Sequence, residues 1–303
     1  MKFDSRSPLS QLLSALFQPY KERVPDVKKV TEAMISHGII ADEEEIVNDH
    51  IAFRTLGVPY LGIASFEKVF LHYGYTKMTP YLFEKKKLDA YWYAPPSDEY
   101  PRIFMSELRV QDLSDESRNI IESYTKDIKA DPVDSLDLDD ISAVVDFLYK
   151  PLWQLPTVAD YQRLAEESEY AAWVIYNRYY LNHYTISVHE LGEKYRELES
   201  FNTFLESIGI VLNTAGGKIK TSKDGLLKQS SSVAKMIEAE FAGGETLEIS
   251  GSYVEFAERL PLPQFQDMDS DELTVEHRRD GFEAANADKI FESTYNDQTL
   301  SKG

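Results

Sequence analysis

His50 and Arg54 stand four residues apart in the segment NDHIAFRTLG. An imidazole can bind a metal or carry a proton, and a guanidinium can grip a carboxylate with two parallel bonds. The segment alternates. Ile51 and Phe53 are apolar, whereas His50, Ala52 and Arg54 share the other parity. Its β-branched and aromatic content predicts a strand, which sends alternate residues to one face. That face then carries His50, the small Ala52 and Arg54, a composition that suits the wall of a site. A solvated strand with two ordinary polar residues would read the same way from this segment alone.

Later strands repeat the pattern. His183, Thr185, Ser187 and His189 share a parity in NHYTISVHEL, and Tyr253, Glu255, Ala257 and Arg259 share one in YVEFAER. In RIFMSELRV, Met105, Glu107 and Arg109 fall together, with Phe104 and Leu108 opposite. If the apolar parities pack on helices, the others converge in a cup that holds His50, His183, Glu255 and Glu107. Two imidazoles and a carboxylate can form a facial triad on a first-row metal such as iron(II). The open positions would accept a bidentate 2-oxo acid and dioxygen, and Glu107 as a further ligand would leave less room for oxygen. Glu107, Tyr253 and Arg259 are candidates for substrate contacts or for support of the ligands. His72, His189 and His277 read as structural.

The elements that would position these groups follow from periodicity. Residues 8–39 predict two helices, the first opened by Ser-Pro and the second closed by Gly38. The strand at 49–56 is followed by a helix over IASFEKVFLHYGY that Gly74 stops, a hairpin around Lys85–Lys87, and the RIFMSELRV strand. The acidic stretch 114–180 is helical. A second βαβββ series follows, with a helix over YRELESFNTFLESIGI and strands near 218–221, 226–241 and 246–258. FEKVFLHYGY parallels FNTFLESIGI, and IFMSELRV parallels GSYVEFAER, which points to a duplicated module whose open sheet is completed by its twin. The expected fold class is therefore α+β. One catalytic domain spans 1–303: N-terminal helices at 1–48, a first module at 49–113, a helical insertion at 114–180, a second module at 181–260 and a tail at 261–303.

Charge and composition narrow the function. The chain carries 52 acidic against 32 basic residues, a net charge of −20, which disfavours a phosphate backbone as partner and makes nucleic acid unexpected. There is no cysteine, so disulfides, thiolate metal sites and cysteine nucleophiles are excluded. No apolar run reaches the ~18 residues a membrane span needs, and the N-terminal segment lacks signal-peptide character, so a cytoplasmic protein is expected. Oligomeric state leaves no mark in the sequence.

HIAFRTLG, RIFMSEL, NHYT, YVEFAER and the tail RRDGFEAANADKIFEST occur in this order, and together they resemble the 2-oxoadipate dioxygenase/decarboxylase family in its short form. The resemblance implies paired βαβββ modules in a cupped, partly closed mixed sheet of the vicinal-oxygen-chelate type. It implies iron(II) held by His50, His183 and Glu255, and a substrate carboxylate gripped by Arg54. The implied reaction takes 2-oxoadipate and dioxygen to 2-hydroxyglutarate and carbon dioxide, at the end of a lysine-breakdown route. The ligand set would also tolerate zinc, nickel or manganese. Two other readings stay open at this point: a glyoxalase-like metal lyase or isomerase with Glu107 as a fourth ligand, and a non-catalytic acidic interaction protein.

Overall fold

Leu9, Leu12, Leu13, Leu16, Phe17 and Tyr20 fall on one helical stripe, and in the computed structural model, which describes residues 7–300, all of them are buried. They belong to helix α1 (Pro8–Arg23), and Pro25 then starts α2 (Pro25–Ser36) at once, its fixed φ suiting a first helical position. The first module follows as β1 (Asn48–Leu56), α3 (Ile63–His72), β2 (Thr76–Phe83), β3 (Leu88–Ala94) and β4 (Arg102–Leu108).

The insertion comprises α4 (Asp115–Thr125), α5 (Ile141–Tyr149), α6 (Val158–Glu167) and α7 (Glu169–Asn177). Ser114, Asp140, Thr157 and Ser168 each accept a backbone N–H at the start of one of these helices. Such a cap contributes about 1 kcal/mol.

The second module is β5 (Leu181–Ser187), α8 (Leu198–Ser207), β6 (Lys220–Thr221), β7 (Leu227–Ser231), β8 (Met236–Glu240), β9 (Thr246–Ser250) and β10 (Tyr253–Arg259). The tail forms α9 (Ala284–Ile290) and α10 (Asn296–Thr299).

The strand expected over 226–241 is broken. Ser232 N–H bonds to Val254 O and Ala234 N–H to Ser293 O, so the chain leaves the ladder there. β8 and β9 form a separate hairpin whose Ala239, Phe241 and Ile249 pack on Tyr161 and Tyr176 of the insertion. Without that hairpin the second module keeps the expected βαβββ order.

The main sheet runs β2-β3-β4-β1-β5-β10-β7-β6. β1 pairs parallel to β4, β5 parallel to β10, and β1 antiparallel to β5, so the two halves repeat about their shared seam. Helices cover one side in the same way in both halves. Phe53 of β1 meets Phe66 of α3 with ring centroids 4.9 Å apart, and Phe256 of β10 meets Phe201 of α8 at 5.4 Å. The fold is thus the expected α+β pair of modules joined in one curled sheet. The other side of the sheet, at the seam, is where the polar parities meet.

Candidate metal centre

The ligand atoms of His50, His183 and Glu255 lie within 4.8 Å of one another, and all three residues are buried. His50 Nε2 is 3.5 Å from Glu255 Oε1, and His183 Nε2 is 3.1 Å from Glu255 Oε2. Each imidazole spends its other nitrogen on the residue before it. His50 Nδ1 donates to Asp49 Oδ1 at 2.7 Å, and His183 Nδ1 to Asn182 Oδ1 at 3.0 Å. Both rings therefore turn Nε2 toward the common point, as a metal-binding histidine requires, and His50 Nε2 there accepts from Thr185 Oγ1 at 3.0 Å.

Neighbouring residues of a regular strand point to opposite faces, so a histidine should not reach the side chain before it. Both strands escape that rule at the same place. The β1/β5 register shifts between Asn48 and His50 and again between Ala52 and Phe53, where β5 steps from His183 to Leu181. Asp49 and Asn182 are thus the extra residues of two bulges related by the duplication, and a bulge re-aims side chains in this way.

Asp49 is itself clamped. Arg259 reaches its two oxygens from Nε at 2.5 Å and Nη2 at 2.9 Å. Burial alone would raise the Asp49 carboxyl, but Arg259 and the His50 bond hold it well below the usual range. Burial would likewise raise Glu255, yet the two imidazoles hold it at about 2. His50 is raised, since Glu255 and Asp49 outweigh the effect of burial, whereas burial lowers His183. Glu255 Oε1 also accepts from Gln229 Nε2 at 2.6 Å, and Gln229 Oε1 accepts from Asn286 of α9 at 3.0 Å.

Arg54 lies on the same side of the sheet and is 1% exposed. Its Nη1 donates to Thr294 Oγ1 at 2.9 Å and its Nη2 to Phe291 O at 3.0 Å, while Nε has no partner. The guanidinium carbon is 5.2 Å from the ring centres of both Tyr170 and Trp173 of α7. No carboxylate pairs with it among the described residues. Tyr253 stacks on His183 with centroids 4.7 Å apart, and its buried hydroxyl also lacks a partner. The cavity among these groups has a volume of about 20 Å³ and is closed by Phe282, Ile290 and Phe291 of the tail.

Glu107 lies elsewhere than expected. In β4, Arg102 pairs with His50, Phe104 with Ala52 and Glu107 with Thr55, so the even residues of β4 face the cavity. In the second half Tyr253 pairs with His183 and Glu255 with Thr185. The duplication therefore matches Glu255 with Phe104, and Glu107 with Glu258. Those two glutamates do the same work: Glu107 Oε2 accepts from Ile63 N at 2.7 Å and Glu258 Oε2 from Leu198 N at 2.8 Å, each starting its module's helix. A phenylalanine thus occupies the position that a fourth ligand would need. Arg259 is fully engaged by Asp49 and by the carbonyls of Arg279 and Gly281, so it supports a ligand from behind. Of the other histidines, His72 and His277 lie at the surface beside Asp139 and Thr274, and His189 is buried against the β10 backbone.

The donor set, two imidazole nitrogens and one carboxylate with their outer partners in place, fits a divalent first-row metal. Asp49, Gln229, Phe104 and the tail residues Phe291 and Thr294 were not singled out from the sequence. One signal was present, the Asx-His dipeptide at both Asp49–His50 and Asn182–His183.

Residues 12–269 match the model of the 2-oxoadipate dioxygenase/decarboxylase family. A protein of Arabidopsis thaliana named 2-oxoadipate dioxygenase/decarboxylase, chloroplastic, is 42% identical over 308 residues, covering 98% of this chain and 80% of the relative. Its name gives no support to a cytoplasmic location. The solved hydroxyglutarate synthase of Oryza sativa, in complex with 2-oxoadipate, is 43% identical with a TM-score of 0.86, covering 96% of this chain and 92% of that one. A glyoxalase superfamily protein of Ralstonia eutropha shares the fold, with a TM-score of 0.71 at 22% identity over 94% of this chain and 90% of that one. No helix among the described residues is long and apolar enough to cross a membrane. A match over most of the chain, joined to identity above two fifths with relatives of that name, places this protein in the 2-oxoadipate dioxygenase/decarboxylase family.

Proposed function

We propose that the protein is an iron(II)-dependent dioxygenase that decarboxylates a 2-oxo diacid, converting 2-oxoadipate and O2 to 2-hydroxyglutarate and CO2. The observation that carries this reading is the convergence of His50 Nε2, His183 Nε2 and a Glu255 oxygen within 4.8 Å. Iron(II) held by these residues would supply a chelation point for the 2-oxo acid and a redox relay that passes the acid's own electrons to dioxygen.

The protein's own residues do the rest. Asp49 and Asn182 keep each histidine proton on Nδ1, away from the centre. Gln229 occupies one oxygen of Glu255, which favours binding through the other and keeps coordination positions free. Arg54, buried without a carboxylate partner, offers its free Nε edge to a substrate carboxylate. The Tyr253 hydroxyl offers a further hydrogen bond to the substrate. Phe104, Phe282 and Phe291 exclude water from the reacting groups. The cavity is smaller than a six-carbon diacid, so the tail segment must part from the sheet for the acid to enter.

The same family resemblance supports a role at the end of lysine breakdown. The four-ligand lyase reading loses its residue, since Glu107 lies across the sheet. The test is anaerobic reconstitution with iron(II), followed by a panel of 2-oxo diacids in an oxygen electrode. One O2 consumed per CO2 released, with 2-oxoadipate the best substrate, is expected. Turnover of 2-oxo acids without oxygen uptake would sink the proposal.

A further inference from the structure

A cleft of about 560 Å³ opens away from the metal centre and shares no lining residue with it. Phe66 of α3 forms part of its wall, which puts the cleft on the helix-covered side of the sheet. Its volume is that of a metabolite site.

Three cations line this cleft: Arg23 at the end of α1, Lys150 just after α5 and Arg178 just after α7. In a chain with 52 acidic residues against 32 basic ones, a half-buried arginine would be expected to find a carboxylate. None of the three forms an ion pair among the described residues, and the one acid in the lining, Glu238, is exposed at the rim. Arg23 donates to the neutral Asn177 and lies 4.4 Å from the centre of the Tyr180 ring. Burial pushes its guanidinium down from the ordinary value. Arg178 donates from Nε and Nη2 to a single carbonyl, Trp153 O, at 3.0 and 2.6 Å.

Two further observations point to a ligand. The buried Tyr180 hydroxyl makes no geometrically complete hydrogen bond and has the Arg23 guanidinium beside it. Arg178 also takes φ 58° and ψ −135°, a backbone conformation natural to glycine and strained for any other residue. Such strain is unfavourable, so a large cationic side chain at that position calls for a function.

We propose that this cleft binds an organic anion, with its phosphate or carboxylate between Arg23 and Arg178 and its apolar body against Phe66, Phe147 and the tyrosine rings. Arg178 begins the short connection to β5, the strand that carries Asn182 and His183, so an occupant is placed to act as an effector of the metal centre from behind.

The test is calorimetry on the full chain at low salt, with phenyl phosphate as probe and inorganic phosphate and phenol as controls. Phenyl phosphate is expected to bind one per chain and more tightly than either control. Arg23→Gln and Arg178→Gly should each weaken it by about tenfold or more, the value of a charged hydrogen bond. Glycine suits the backbone at 178, so R178G should keep or raise the melting temperature while it loses the probe. Arg54→Met should leave binding unchanged, which separates this cleft from the metal centre. The proposal fails if phenyl phosphate does not bind at millimolar concentration, if inorganic phosphate binds as tightly, or if R23Q and R178G both bind like the parent. It fails equally if R54M alone abolishes binding.

Discussion

Arg259 holds both oxygens of Asp49, and Asp49 takes the Nδ1 proton of His50, so a buried ion pair aims a metal-binding imidazole. Removing the arginine strands a buried carboxylate. Arg259→Met should cost about 3–5 kcal/mol of stability, and the paired change Asp49→Asn with Arg259→Met should cost much less. Asp49→Asn alone should weaken metal binding by about 10–100-fold, since His50 then has at most a neutral acceptor in place of a carboxylate. Chemical denaturation and metal titration of the double-mutant cycle measure both. A metal affinity indifferent to Asp49 would remove it from the centre.

Gln229 links Glu255 to Asn286 of α9, at 2.6 and 3.0 Å. Gln229→Leu frees one carboxylate oxygen and removes one of three acceptors of the Asn286 amide, which keeps Lys220 O and Leu227 O. Metal affinity should fall by about 10–100-fold with the fold intact, whereas Glu255→Ala should abolish both metal binding and turnover. Metal content after dialysis separates the two outcomes.

Arg54 is a buried cation without an anionic partner. Its charge is therefore a cost in the free protein and a gain only when an anion binds. Arg54→Met should hold or raise the melting temperature while kcat/KM falls by about 100-fold. Arg54→Lys should not restore activity, because an ammonium cannot offer two parallel donors. A melting temperature that drops sharply in both variants would make Arg54 a structural residue.

The alternation around His50, His183 and Glu255 made their convergence legible, because strand parity and burial act together on such short segments. Two features were not legible. The bulges at Asp49 and Asn182 break the two-residue period, and nothing in a period-two reading reveals an inserted residue. The pairing of Glu107 with Glu255 slipped by three positions, because each copy has several acids and only the β1/β4 and β5/β10 registers decide which correspond. Helix boundaries came through well where Pro8, Gly38 and Gly74 mark them. The tail could not be placed, since its contact with Arg54 joins residues 240 apart in the chain.

Glu107 receives Ile63 N–H at the start of α3 and packs tightly against Gly62, where an added Cβ would lie 2.1 Å from Oε2. Gly62 also has φ +81°. Gly62→Ala should therefore destabilise the first module by about 1–3 kcal/mol or more. Glu107→Gln keeps an acceptor and should leave metal content and kcat within about twofold. Metal loss in E107Q would restore the four-ligand reading.

His189 Nδ1 accepts the Arg259 backbone N–H at 3.2 Å, and burial disfavours the charged ring. Burial lowers its pKa to about 3. An unfolded histidine titrates near ~6.5, so below that pH the unfolded chain binds a proton that the folded one refuses. Stability should fall by roughly 1 kcal/mol per pH unit from ~6.5 down to the folded value, and be flat in this respect above ~6.5. His189→Gln keeps an acceptor near the Arg259 amide and removes the titration, so its acid denaturation should lose that slope. Urea midpoints measured between pH 7.5 and 4.5 test this. Parallel curves for the parent and H189Q would show that other groups set the acid limit.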